Sequence, residues 1–354
     1  VTAILDRRPV LVTGGAGFIG ANLADRLATE GHDVLVYDAL ARTGVEANLE
    51  WLRQRHPRRI SAMIADVRDE AALAEAAADA QAVFHLAAQV AVTTSLLDPY
   101  ADFQVNLKGT VLLLEALRRR GGAVPVIFAS TNKVYGSLGD MALVLQGDAY
   151  APQDGMLRAF GVPEERPLDF HTPYGCSKGA ADQYVLDWTR SFDIPGVVFR
   201  MSCIYGPRQM GTEDQGWVAH FLIRALRGEP ITVFGDGCQV RDVMLVDDVV
   251  DAYLAAWRCI GAVSGRAFNL GGGPSNAVSL RQVIGLIGEL AGRRPEVRHA
   301  PWRAGDQRWY VSDTRRAHQA LGLATPTSWR SGIAILARWL QEERDHRSLT
   351  EALP

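Results

Sequence analysis

Only four cysteines occur in this chain of 354 residues, at positions 176, 203, 238 and 259. None stands in a C-x-x-C pair or at metal-ligand spacing from a histidine, which excludes a disulfide framework and a zinc ribbon and leaves reduced thiols and no metal as the expectation. An excess of charge of one sign is missing as well. The 37 basic and 40 acidic residues leave a net charge of −3, so no global field gathers nucleic acid or an anionic membrane. No apolar run approaches the ~18 residues of a membrane span. A first strand expected from near Pro9 leaves no room for a signal peptide, and the expected location is cytoplasmic. There is no internal repeat and no low-complexity tract. The basic runs are short: Arg53, Arg55, Arg58 and Arg59 read as a solvated helix end and loop, and Arg118 to Arg120 complement a helix C-terminus.

With 48% hydrophobic and 22% charged residues, the chain can bury the core of one large α/β domain or of two interlocked ones. From Pro9 to Val198 short β-rich runs alternate with longer helical stretches, the pattern of a doubly wound parallel sheet. Expected strands are Val10 to Thr13, Asp33 to Tyr37, Ser61 to Ala65, Ala82 to Leu86, Val124 to Ala129 and Gly196 to Arg200. Helices are expected over Ile19 to Glu30 and Val105 to Arg120, and the alanine-rich Glu70 to Ala82 reads as a surface helix. A long segment, 137–172, rich in Gly, Pro and Asp, interrupts the alternation and reads as an insertion bordering the active site. Beyond Tyr205, short strands such as Ile231 to Phe234 and Ala267 to Leu270 suggest a smaller C-terminal lobe folded over the first. The division expected is therefore residues 1–200, with the insertion, and 201–354, with segments free to interleave.

Val10 to Thr13 runs straight into Gly14-Gly15-Ala16-Gly17-Phe18-Ile19-Gly20 and then a helix, the context that makes a glycine pattern a dinucleotide fingerprint. Gly14 permits the turn, Gly17 lets backbone approach a diphosphate, and Gly20 lets the helix pack on the strand while its N-terminus faces negative charge. Eighteen residues after Gly20, Asp38 ends the second strand, where a carboxylate takes both ribose hydroxyls and repels a 2′-phosphate. That favours NAD over NADP, with Arg42 leaving the alternative open. Asp66 and Val67, after the third strand, are placed to border an adenine, or form an exposed turn. Leu86, Ala87 and Ala88 offer free backbone beside a nicotinamide ribose.

Tyr174 and Lys178 stand four apart at the start of a helical pattern and share one face. An ammonium there is expected to lower the phenol pKa, so that Tyr174 serves as a general base near neutral pH. The strand through Ser130 ends at Thr131, whose hydroxyl sits at the carboxyl edge of the sheet, where ligands of open α/β folds bind. Together these residues suit hydride transfer from a carbinol to a nicotinamide.

GGAGFIG, HLAAQ from His85, VNLKGT from Val105, Thr131, YGCSK from Tyr174, YGP from Tyr205, GDGCQVRD from Gly235 and GDQR from Gly305 together resemble the extended short-chain dehydrogenases that act as NAD-dependent nucleotide-sugar epimerases and dehydratases. The resemblance covers nearly the whole chain. It implies a Rossmann-type sheet with a smaller substrate-binding lobe, and a catalytic set of Thr131, Tyr174 and Lys178. Phe18, Ile19, Gln89, Asn106 and Ser130 join the coenzyme site by the same analogy. Four stretches, QVAVTTS from Gln89, STNKVYG from Ser130, DFHTPYGCSKGAADQYVLD from Asp169 and DQGWV from Asp214, resemble the CDP-paratose 2-epimerase branch, also called CDP-tyvelose epimerases.

On that analogy the substrate is a nucleotide-diphosphate sugar, CDP-linked by preference, and relatives pair as dimers or tetramers. Arg241 and Arg308 fall to the diphosphate, which guanidinium groups can grip in bidentate fashion, and Val233 and Phe234 fall to the base. Thr94, Asn132, Lys133, Cys203, Gln209, Gln215 and Trp217 complete the expected substrate contacts. Cys203 stands where many relatives carry asparagine. In the family's 4,6-dehydratases an Asp and a Glu follow the strand-end threonine to eliminate water; here Asn132 and Lys133 occupy those places, which argues against elimination. Two rival readings stay open: a 4-epimerase or decarboxylase acting on a UDP-sugar, and a non-catalytic dinucleotide-binding scaffold.

Overall fold

The computed structural model describes residues 8–303 and 305–351. Five strands come first: β1 (Val10–Thr13), β2 (Val34–Asp38), β3 (Ile60–Ile64), β4 (Ala82–His85) and β5 (Val126–Thr131). A hairpin of β6 (Leu143–Gln146) and β7 (Ala149–Pro152) follows, then β8 (Gly196–Met201) and β9 (Cys203–Tyr205). The later strands are β10 (Ile231–Phe234), β11 (Val240–Leu245), β12 (Arg266–Leu270), β13 (Ala277–Ser279), β14 (Val297–Ala300) and β15 (Trp309–Tyr310).

Seven of them form one sheet in the order β12-β8-β5-β4-β1-β2-β3, every adjacent pair parallel. This is the doubly wound Rossmann-type arrangement. Chain order reverses between β1 and β4, and the crevice beyond the carboxyl ends of such strands is where ligands of this fold sit. The observed strand bounds lie within two residues of the expected ones, and β1 and β10 match them. β5 starts at Val126 because Pro125 has no N–H to give the ladder, and it runs on through Thr131.

Alternate side chains of each strand serve opposite faces. Val10, Val12, Val34 and Val36 pack with the helices Phe18–Thr29, Val45–Arg55 and Val246–Arg258. Leu11, Val83, Val126 and Phe128 face the helices Glu70–Ala78, Gly109–Arg120 and Thr172–Phe192. The alanine-rich helix is capped by Asp69, which accepts from the Ala71 and Ala72 amides, and it stops at Ala78. The expected helix from Val105 is instead a π-helical turn, Gln104–Lys108, running into Gly109–Arg120.

Two expectations need correction. Residues 266–270, assigned to the second lobe, are β12, the edge of the central sheet beside β8, and the helix Val246–Arg258 packs in the first core. The chain thus interleaves across residue 200, as the expected division allowed. The segment 137–172, expected as an insertion bordering the active site, contains the β6–β7 hairpin and packs Leu138 and Val162 against Val240, Trp309 and Val311. Val162 also bridges Ser312. The second lobe gathers β9, β11, β13 and β15 in one small sheet and β10 with β14 in another. These lie against the helices Trp217–Arg227, Leu280–Ala291 and Trp329–Glu351. Among the described residues, no helix is long and apolar enough to cross a membrane.

Candidate active site

A cleft of about 980 Å³ runs along the carboxyl edge of the central sheet between the two lobes. At one end lies the fingerprint turn. A Cβ on Gly14 (φ +68) would approach the Ala87 amide nitrogen to 2.7 Å, and one on Gly20 would come within 2.1 Å of the Gly14 carbonyl. The turn thus fits only bare backbone, and the helix Phe18–Thr29 begins against it with Gly17 as its N-cap. Gly14, Gly17, Phe18, Ile19 and Gly20 all line the cleft. This cradle, closed to side chains and open to an anion at a helix N-terminus, fits a dinucleotide diphosphate.

Asp38 follows at the end of β2, with its carboxylate accepting from the Ala16 amide at 3.0 Å and the Leu40 amide at 2.9 Å. Burial raises its pKa against the lowering effect of these backbone bonds. Asp66, Val67, Leu86, Ala87, Ala88 and Gln89 border the same end. Asp66 is gripped by Arg68 at 2.9 and 2.7 Å, which lowers its pKa. Asn106 does not reach the cleft. It is buried and donates to the Gln89 carbonyl at 3.0 Å, Asp102 at 3.1 Å and Ser177 at 3.1 Å, so it braces the coenzyme loop against the helix Thr172–Phe192. The buried Asp102 at the centre of this brace went unread in the sequence.

In the middle of the cleft stand Ser130, Thr131, Tyr174 and Lys178. Thr131 hydrogen-bonds the Tyr174 phenol, which lowers the phenol pKa, but burial outweighs this and pushes it up to about 12. Lys178 lies with its ammonium 4.1 Å from the centroid of the Phe128 ring, and burial pushes it down to about 7. The expected lowering of the phenol by the ammonium is therefore not seen within the chain. Lys178 is coupled to the carboxylates of Asp182 and Asp102, and the phenol has Thr131.

Beyond Tyr174 the cleft passes Thr94, Asn132, Lys133, Cys203, Gln209, Gln215, Trp217, Phe234 and Arg241. Lys133 donates to the Gly305 carbonyl at 3.1 Å, and burial pushes its pKa down to about 8. Cys203 accepts from the Trp217 indole at 3.4 Å. Arg241 pairs with Asp306 at 2.6 Å. Two expected contacts are elsewhere. Val233 is buried in the second core, because alternation along β10 turns Phe234 and not Val233 to the cleft. Arg308 lies 5.7 Å from the Tyr150 ring centroid and 5.6 Å from that of Trp302. A guanidinium that does line the cleft beside Arg241 is Arg303, 3.7 Å from the Phe234 ring centroid. Thr93, Gln239 and Asp306 were likewise missed, and Thr93 Oγ1, Gln239 Oε1 and Arg303 Nε are buried without a partner. No residue of 137–172 lines the cleft, so the insertion does not border the sugar as expected.

The profile of the NAD dependent epimerase/dehydratase family matches residues 10–271. The chain belongs to that family. It is 38% identical to the CDP-paratose 2-epimerase of Salmonella typhi, over 93% of this chain and 98% of that protein. It is 34% identical to a dTDP-glucose 4,6-dehydratase of Streptomyces griseus, over 97% and 96%. Among solved structures, a UDP-glucose 4-epimerase of Thermus thermophilus in complex with NAD is 32% identical, with a TM-score of 0.78 over 94% of this chain and 99% of that one. As a member of the epimerase/dehydratase family the protein is an enzyme that uses NAD and acts on nucleotide sugars.

Proposed function

We propose that the protein inverts carbon 2 of a CDP-linked deoxyhexose, in the manner of CDP-paratose to CDP-tyvelose. Tyr174 and Thr131 meet the sugar hydroxyl at that carbon, and the phenol, once ionised, takes its proton and later returns it. When bound, NAD takes up the carbon-bound hydrogen as hydride and gives it back, and its oxidised ring adds a positive charge that favours the phenolate. Lys178 would hold the ribose of the bound coenzyme beside that phenol. Arg241 and Arg303 would retain the diphosphate while the keto sugar turns within walls made by Thr93, Thr94, Asn132 and Cys203, so that either face of its carbonyl can be presented.

The observation that carries this reading is at Asn132 and Lys133. Asn132, an amide that cannot exchange a proton, stands where elimination of water would need a carboxylic acid, and Lys133, tied to the Gly305 carbonyl, stands where it would need a carboxylate, which favours oxidation and reduction without loss of water. The identity with the curated 2-epimerase supports carbon 2 and a cytidine base. A second copy of the chain fits the exposed Leu97, Tyr100 and Phe103, which lie beside the helix Thr172–Phe192 with its exposed Tyr184 and Phe192. Pairing there gives a homodimer, with the work done in the cytoplasm.

The test is incubation with CDP-, UDP- and dTDP-hexoses, following ring-proton couplings by NMR. Inversion at carbon 2 of a CDP-sugar is expected. Turnover only at carbon 4 of a UDP-sugar would replace this reading with the 4-epimerase one.

A further inference from the structure

The segment Pro207–Met210 crosses the mouth of the cleft beside the fingerprint turn. Asn22, on the helix Phe18–Thr29, donates to the Pro207 carbonyl at 3.0 Å. Asn48, on the helix Val45–Arg55, donates to the Arg208 carbonyl at 3.3 Å and to the Ala16 carbonyl at 3.1 Å. One amide therefore ties the segment directly to the turn that fits the coenzyme diphosphate. Gly44, the N-cap of that second helix, faces Met210 so closely that a Cβ would meet its side chain at 3.1 Å.

Arg208 has φ +70, a left-handed backbone that a residue with a Cβ keeps only where its surroundings hold it. What holds it is visible. The guanidinium lies 3.9 Å from the Trp51 ring centroid and 5.5 Å from that of Trp339, with the Glu343 carboxylate 3.6 Å away. Trp51 belongs to the coenzyme-binding side, and Trp339 and Glu343 to the final helix, Trp329–Glu351, of the second lobe. Arg208, Gln209 and Met210 all line the cleft, whereas no described residue of the final helix does. The oxygen atoms of the Asn48 and Gln209 side chains are buried and unpartnered, so both amides keep an acceptor in reserve at this border.

We propose that Pro207–Met210 is a strap that retains NAD between turnovers, and that Arg208, clamped between Trp51 and Trp339, keeps the strap shut. A reaction that returns its own hydride gains nothing by releasing coenzyme, and each escape of the reduced form aborts a turnover. The final helix acts on the cofactor through Arg208 without touching the cleft, as a positioning element. The inference rests on the use of NAD and is the same for chemistry at carbon 2 or carbon 4.

The experiment strips and follows the cofactor. Purified holoenzyme is diluted into an NAD-hydrolysing trap, and the NAD still bound is measured with time for wild type, Arg208→Ala, Trp339→Leu and the double variant. Release should be about ten-fold faster in each single variant, as expected for loss of a desolvated cation–π contact. The double variant should release no faster than the faster single one, because both act through one clamp. Activity lost on dilution should return with added NAD, and the KM of Trp339→Leu for nucleotide sugar should then match wild type. Trp339→Leu leaves the strap itself intact and decides the matter should Arg208→Ala unfold. Wild-type release rates in the folded variants, or lost activity that NAD does not restore, would overturn the proposal.

Discussion

Lys133 donates from its ammonium to the carbonyl of Gly305 at 3.1 Å, and this bond fixes the segment that also carries Asp306, the partner of Arg241. Lys133 thus holds in place the side of the cleft that carries Arg241. Lys133→Met should raise the KM for nucleotide sugar about ten-fold, the cost of one charge-assisted hydrogen bond, and leave bound NAD unchanged. Steady-state kinetics with absorbance of the released cofactor checks both. The wild-type enzyme should form no 4-keto-6-deoxy sugar from any nucleotide-glucose, and its detection by mass spectrometry would contradict the role given to Asn132 and Lys133.

Lys178 costs the fold stability that function requires. Burial depresses its pKa to about 7 from the 10.5 of a free lysine, so between those values the unfolded chain binds more protons than the folded one and stability rises with pH. The penalty is fully present below about pH 7 and is lost as the pH approaches the unfolded value. Lys178→Met should therefore raise Tm most under mildly acidic conditions, with the difference from wild type shrinking in alkali, while turnover is abolished. Tyr174→Phe should also abolish turnover with the fold intact by circular dichroism. Wild-type rates in either variant would remove the mechanism.

Asp182 and Arg200 form a bidentate pair in the core, at 2.9 and 3.1 Å, and Ser130 adds a hydrogen bond to the same carboxylate at 2.8 Å. Asp182→Ala would leave the guanidinium buried and unpaired, which costs about 3–5 kcal/mol. The urea midpoint should fall accordingly. An unchanged midpoint would show that the site tolerates the lone charge.

What could be read from the sequence was local. The fingerprint glycines, Asp38, Thr131, Tyr174 and Lys178 each follow from a strand end, a helix start or a four-residue spacing, and all meet in the cleft. What failed was set by distant partners. The Arg308 carbonyl accepts from Val240, and that pairing of the approach to β15 turns its side chain toward Tyr150 and leaves the cleft to Arg303. β12 joined the central sheet because its partner, β8, lies some distance back along the chain. The segment 137–172 has a core of its own with Trp309 and Val311, which no motif within it announces. The phenol of Tyr174 stays high because its environment is dry, and spacing from a lysine carries no information on burial.

Asp38 lines the cleft beside the fingerprint turn with both carboxylate oxygens held by backbone amides. A 2′-phosphate there would meet a fixed negative charge, so NADP should bind about a hundred-fold more weakly than NAD. Asp38→Asn should narrow that gap. Direct titration of stripped protein measures both constants, and tighter binding of NADP to the wild type would assign the site to Arg42.

The central claim is that one hydrogen leaves carbon 2 and comes back to it. The measurement is turnover of a CDP-sugar deuterated at carbon 2, in ordinary water, with the label followed by NMR and mass spectrometry. Inversion at carbon 2 with the deuterium still on that carbon is the predicted result; loss of the label to solvent, or inversion elsewhere on the ring, would contradict it.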